Sequence, residues 1–299
     1  MDMKFITLLI AFTIIIVEGR IKIDVDVNKD KEVVINYSGY EKNIITDKYV
    51  DAFGINDENL KKAVTNHYHE RPKDVYLKSP TPWGDLYKKY DWEQVCTILQ
   101  VKSAKVRNNS VKSVEVLSQD FDNPSNKTIK VTAGITQTVE NSVSNAWSKT
   151  EEKTLSQEIT YELNVNIAKA SGTTGISVSR TLGTSGEKAE TVTIGTTSGV
   201  EIELKPGQSA RAVLTATRQT LEVDIKYAVT LRGNIAVNFR RKHNNHHFYG
   251  PSIDAVLKAG DLNTELIRTE TIKVGVYVDA SMKVYDKETG DTKDTTIIL

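Results

Sequence analysis

Between residues 155 and 167 the chain alternates apolar and polar positions almost without a slip. Leu155, Ile159, Tyr161, Leu163, Val165 and Ile167 share one parity, broken only by Gln157. Thr154, Ser156, Glu158, Thr160, Glu162, Asn164 and Asn166 share the other. Successive side chains of a strand point to opposite faces, so this pattern predicts a strand with one apolar face and one hydroxyl- and amide-rich face. A small-residue turn is expected at 170–175. After it Ile176, Val178 and Leu182 alternate with Ser177, Ser179 and Thr181, which completes a hairpin over about 154–182.

Other segments follow the same rule. Val200, Ile202 and Leu204 alternate up to the turn Lys205-Pro206-Gly207. The stretch 213–239 is strand-rich, with a break at Arg232-Gly233-Asn234, and Ile272 to Val284 alternates up to a turn at 286–291. Helical spacing is confined to short pieces. Asp57 is placed as the cap of a helix with Leu60, Ala63, Val64 and His67 on one face, and Ser252 and Gly260 bracket one or two turns. Ser79-Pro80-Thr81-Pro82-Trp83-Gly84 is too rich in Pro and Gly to be helical. No repeat of solenoid period is present. The expected fold is all-β: an elongated arrangement of long twisted antiparallel strands from about residue 111 onward, with a smaller mixed N-terminal region.

The first residues change the picture by setting a compartment. Lys4 precedes an apolar run over 5–17 interrupted only by Thr7 and Thr13, and Val17-Glu18-Gly19 supplies small residues for a peptidase. The run is too short to span a bilayer, which takes about 20 residues. A signal peptide over 1–19, cleaved after Gly19, and a secreted extracellular product are therefore expected. The whole chain carries 39 basic and 39 acidic residues with no basic block, which gives no electrostatic footprint for nucleic acid. Cys96 is the only cysteine, so no internal disulfide can hold the fold, and a buried inert thiol is expected. Asn36, Asn108 and Asn126 begin N-x-Ser/Thr triplets and are candidate glycosylation sites.

Candidate chemistry is sparse. The sequence holds no G-x-S-x-G elbow, Walker A loop, H-E-x-x-H or C-x-x-C, so no enzyme, cofactor or metal site is expected. His67, His69, His243, His246 and His247 form a metal-like pattern but sit in Asn-rich, solvated surroundings. Arg240-Arg241-Lys242 is either a protease site or a solvated strand end. Trp83, Tyr87, Tyr90 and Trp92 are read first as core of the N-terminal region, and alternatively as a patch for a receptor, a sugar or a membrane interface. The hairpin also has two readings. It is either a half-buried ribbon over a neighbouring sheet, or a segment that leaves the soluble fold and closes a barrel with copies from other subunits. In the second reading Arg180, on the apolar parity, would have to sit near an interface or follow a bulge.

Thr132-Ala133-Gly134-Ile135-Thr136-Gln137-Thr138 followed by Trp147-Ser148-Lys149-Thr150 resembles the start of the stem module of aerolysin-like proteins, the epsilon-toxin and mosquitocidal type. The Ser/Thr-rich hairpin comes next in that superfamily. Leu204-Lys205-Pro206-Gly207-Gln208 and Lys226-Tyr227-Ala228 are similar to its closing strands. Pro80-Thr81-Pro82-Trp83-Gly84-Asp85-Leu86-Tyr87 and Trp92-Glu93-Gln94-Val95 resemble the first region of spherulin-like proteins, which include the moth follicular epithelium yolk proteins. The resemblance implies a recognition region over 20–110, a stem module over 111–299, and a secreted protein that oligomerises with itself into a membrane pore. Its partners would be a target membrane and a cell-surface receptor or glycan. Leu155, Ile159, Tyr161, Leu163, Val165, Ile167, Ile176 and Val178 would then face lipid, with Glu158 and Glu162 in the lumen. The spherulin and yolk branch implies the alternative, a secreted yolk, storage or matrix glycoprotein with the same fold and no pore.

Overall fold

The computed structural model describes residues 19–147, 159–169 and 172–298. Long strands dominate them. In chain order these are β1 (Gly19–Val27), β2 (Val33–Ile44), β3 (Asp74–Tyr76), β4 (Cys96–Asp122), β5 (Ile129–Ala146), β6 (Thr160–Lys169), β7 (Gly172–Thr181), β8 (Gly186–Leu204), β9 (Ser209–Arg232), β10 (Ala236–His243), β11 (His246–Tyr249), β12 (Glu265–Asp286) and β13 (Thr292–Ile298). Four short helices accompany them: α1 (Asp47–Phe53), α2 (Asp57–Tyr68), α3 (Pro82–Tyr90) and α4 (Ile253–Ala259).

One large sheet runs β7-β6-β1-β2-β4-β9-β12-β5-β8, with β13 also on β12. At about 3.3 Å per residue, the 27 residues of β4 extend for roughly 85 Å. This is the all-β, long-stranded architecture that the alternation predicts. Register is set by burial: on β9 the apolar face alternates from Ala210 to Leu214 and again from Leu221 to Tyr227, and a one-residue slip would turn every one of those side chains to solvent. Two large cores result, beside a small cluster of Leu86 and Tyr87 of α3 with Ala236 of β10. The larger of the two gathers β1, β6, β7, the middle of β9 and β12, and helices α1, α2 and α4. The smaller lies between Ala133, Ile135, Ile202 and Leu204 on one side and Ala212, Leu214, Met282 and Val284 on the other.

The N-terminal strands belong to the large sheet. Ile21, Ile23, Val25 and Val27 are buried, and β1 pairs antiparallel with β2 and parallel with β6. Strands β10, β11 and β3 form a separate three-stranded sheet beside the helices. Local expectations need three corrections there. Asn56, not Asp57, caps α2, because its side chain accepts from the Asn59 N–H at 2.9 Å. His67 lies on the exposed side of that helix, while Leu60, Ala63 and Val64 are buried. The Pro- and Gly-rich stretch does run into a helix, α3, but its backbone breaks at Trp83, Gly84 and Asp85, all at positive φ. Ser252 caps α4 and Gly260 ends it, as expected. Cys96 is buried and free.

Candidate functional site

The two faces of the β6–β7 hairpin have different fates. On its apolar face Ile159, Tyr161, Leu163, Val165, Ile167, Ile176, Val178 and Leu182 are all buried in the larger core. Tyr161 stands opposite Arg180, Leu163 opposite Val178 and Val165 opposite Ile176. Leu155 and Glu158 lie outside the described residues. The turn differs from expectation: β7 already begins at Gly172, and Gly175 sits within it opposite Asn166. The reason is steric. A Cβ at Gly175 would stand 2.5 Å from the Val165 carbonyl oxygen, so this glycine serves close strand approach and not the bend.

The polar face is held by β1. The parallel ladder pairs Lys22 with Glu162, Asp24 with Asn164 and Asp26 with Asn166. Asn164 donates to Asp24 at 2.8 Å and Asn166 to Asp26 at 3.0 Å. Glu162 lies 3.5 Å from Lys22 and 3.9 Å from Arg20, with all three side chains well exposed, so these ion pairs contribute little. Among the described residues, no further strand lies beside the outer edge of β7.

A buried carboxylate joins the hairpin to the sheet beneath. Glu270 of β12 is fully buried. It accepts from the Tyr161 hydroxyl at 2.5 Å, the Tyr227 hydroxyl at 2.7 Å and the Asn145 amide at 2.6 Å. Strands β6, β9, β5 and β12 thus meet at one residue. Burial pushes the Glu270 carboxyl above its ordinary range, against the three hydrogen bonds and the nearby Arg180 charge, which all favour ionisation. Arg180 donates to the Val143 carbonyl at 2.7 Å and interacts electrostatically with Glu270, while its Nε is buried without a hydrogen-bond partner among the described residues. Trp147 stacks on Tyr227 at 5.5 Å and closes the cluster. Glu270 was missing from the expected site. Its signal was available, because it lies two residues before Ile272 and in phase with the apolar face of β12.

Elsewhere the predicted residues scatter. Asn36, Asn108 and Asn126 are all exposed, as a glycan would require. Gly19 opens β1, and the segment before it lies outside the described residues. The aromatic cluster divides: Tyr87 is core, whereas Trp83 and Tyr90 are each 42% exposed, so the all-core reading of these rings is corrected. The histidines do not gather. His243 pairs with Glu70 at 2.8 Å, His247 with the Phe239 carbonyl at 3.1 Å, and no metal-ligand cluster occurs among the described residues. No described helix is long and apolar enough to cross a membrane, which says nothing of strands.

This architecture, long strands with a docked amphipathic hairpin, is the fold of a solved bacterial toxin. Parasporin-2, a toxin of Bacillus thuringiensis that recognizes cancer cells, superposes with a TM-score of 0.61 at 16% identity, over 86% of this chain and 99% of that one. No family model matches the sequence. The chain is 33% identical over 289 residues to U-megalopygitoxin(8)-Mo12 of Megalopyge opercularis, covering 96% of this chain and 99% of the relative. U-megalopygitoxin(8)-Mc8 of Megalopyge crispata is 34% identical over 257 residues, 86% and 88% of the two chains. The protein belongs to the U-megalopygitoxin(8) family.

Proposed function

We propose that this chain is a secreted toxin, without enzymatic activity, that oligomerises on a target membrane and inserts the β6–β7 hairpin into a shared β-barrel pore. The observation that carries the reading is the hairpin itself. Its two strands have ten residues each, against the roughly 9–11 that a tilted membrane strand needs. One face is apolar from Tyr161 to Ile167 and from Ile176 to Val178, with Thr174 and Arg180 on the same parity, and the other carries Thr, Ser, Asn and Glu. Arg180 and its partner Tyr161 form the second pair from the open end of the hairpin. After insertion they would sit near the headgroups, where Tyr and Arg are at home, and not at the bilayer centre. Glu162 on the polar face would line the lumen and favour cations.

The same face explains why the released hairpin needs a membrane and partners. Ile159, Tyr161, Leu163, Val165, Ile167, Ile176 and Val178 are removed from water in the monomer. At about 1.5–3 kcal/mol per large apolar side chain, exposing all of them would cost on the order of 10–20 kcal/mol. Undocking is therefore coupled to a new apolar environment, and barrel closure supplies partners for every strand edge.

The test is release of a trapped dye from vesicles and animal-cell membranes, with an unboiled SDS gel to detect the oligomer. The pair Asp24→Cys and Asn164→Cys would lock β6 to β1, where these two side chains meet at 2.8 Å. Leakage and oligomer formation that disappear in the oxidised lock and return on reduction would support insertion. Leakage by the locked protein would exclude this hairpin as the membrane segment. No leakage from any membrane would leave a secreted storage or matrix protein as the better reading.

A further inference from the structure

We propose that a cleft between β10, β11 and the first turn of α3 binds an acidic saccharide of the target cell surface. This names the ligand class of the recognition step and rests on the toxin reading above. The cleft, about 470 Å³, is lined by Lys73, Trp83, Asn238, Phe239, Arg240, His247 and Phe248, within the range of about 300–1,000 Å³ usual for small-ligand sites.

Its charge is one-sided. No carboxylate lines it. Arg240 has no acidic partner among the described residues, and Lys73 reaches Asp74 only at 4.0 Å. Asp74 is itself engaged by the Asn238 amide at 2.8 Å. His247 spends Nδ1 on the Phe239 carbonyl, which leaves Nε2 for a ligand. A cavity lined by two cations and no carboxylate, with Asp74 beside it held by Asn238, is complementary to an anion.

Its wall is aromatic and held in place. Trp83 stands 5.1 Å from Phe248 and 6.2 Å from Tyr76 by ring centroid, yet it is 42% exposed. Its backbone is in the left-handed region, φ 64°, as are Gly84 and Asp85 after it. A bulky residue in that region is strained. The strain is held by a buried brace. Asp85 takes the Ser79 hydroxyl, the Leu86 N–H donates to Thr81 Oγ1 at 2.7 Å, and the Tyr87 hydroxyl donates to the Tyr76 carbonyl at 2.7 Å. Core packing would turn an indole inward; this loop holds it out beside the cations. A sugar ring offers a C–H face to stack on Trp83, and a carboxylate or sulfate on that ring reaches Arg240 and Lys73. A neutral sugar leaves both cations unused.

The experiment is titration of the full-length protein, without membranes, by Trp fluorescence and calorimetry. The probes are 3′-sialyllactose, a heparin tetrasaccharide and lactose, with phosphatidylserine vesicles as a separate arm. Binding of 3′-sialyllactose assigns a carboxylate, and binding of the heparin fragment alone, which carries both carboxylates and sulfates, assigns the sulfates. At least one should bind tenfold or more tighter than lactose and weaken with salt. Arg240→Ala and Lys73→Ala should each reduce that binding by about tenfold or more, the scale of one charge-assisted hydrogen bond. Trp83→Phe should retain part of the binding that Trp83→Ala loses. Unchanged melting of Arg240→Ala, whose residue is exposed, confirms that the variant is folded. Equal binding of acidic and neutral probes, binding that survives Arg240→Ala, or binding to the vesicles alone would overturn the assignment. Leakage without saccharide binding would overturn it while leaving the pore intact; binding without leakage would do the reverse.

Discussion

Replacing Tyr161 with Phe removes one oxygen from the hairpin and leaves its volume and ring in place. The lost bond is the one to the buried Glu270 carboxyl. A hydrogen bond to a charged group is worth about 1.5–3 kcal/mol, and the vacated acceptor lies where no water reaches it, since Glu270 is 0% exposed. Tyr161→Phe should therefore lower the unfolding free energy by about that amount. If the hairpin undocks as a unit, amide exchange in β6 and β7 should quicken roughly 10- to 150-fold, the same energy expressed as an equilibrium constant. A double-mutant cycle isolates the contact: Tyr161→Phe, Glu270→Leu, which removes the acceptor, and the double variant, unfolded in urea. The expected coupling is about 1.5–3 kcal/mol where Glu270 is ionised and about 0.5–1.5 where it is protonated, the scale of a neutral hydrogen bond. Coupling below about 0.5 kcal/mol at every pH would refute the view that this bond ties hairpin to sheet.

The remaining predictions follow from single contacts. The Glu270 carboxyl is raised in the fold by burial, so its protonation favours the folded state. That contribution is complete below the ordinary value of 4.5 and is lost as pH rises through the folded value; the stability of Glu270→Gln relative to wild type should thus climb with pH across that window, and a flat difference would contradict the raised carboxyl. Gly175→Ala places a Cβ 2.5 Å from the Val165 oxygen and should cost about 1–3 kcal/mol in a urea melt, whereas an unchanged midpoint would mean the strands are not so close. Glu162→Lys sets a third cation beside Arg20 and Lys22, with less than about 1 kcal/mol effect on the exposed pair. In planar-bilayer recordings the same change should shift the pore away from cation preference, and unaltered reversal potentials would place Glu162 outside the lumen. Asn36, Asn108 and Asn126 are exposed, so glycosidase treatment of protein expressed through a secretory pathway should lower its mass and the triple Asn→Gln variant should not respond.

What the sequence determined by itself is the periodic part. A period of two fixes which side chains share a face whatever strand lies alongside, so the apolar set from Ile159 to Val178 and the alternation from Ile272 to Val284 could be assigned before any fold was known. The caps of α4 were legible for the same reason, since a capping side chain bonds its own helix. Pairing between distant segments was not. That β1 lies parallel to β6 depends on 140 residues of separation, as in the Asp24–Asn164 bond, and no local pattern encodes it. Nor could the turn be placed, because Gly175 is required by the Val165 carbonyl across the hairpin and not by its neighbours in sequence. The cleft beside Trp83 draws on residues 73, 83 and 238–248, far apart in the chain. Glu270 shows the division most clearly. Its parity marked it as facing the core, but only the convergence of Asn145, Tyr161 and Tyr227 supplies the hydrogen bonds that make a carboxylate bearable there. Local periodicity decides which way a side chain points, and tertiary structure decides what it meets.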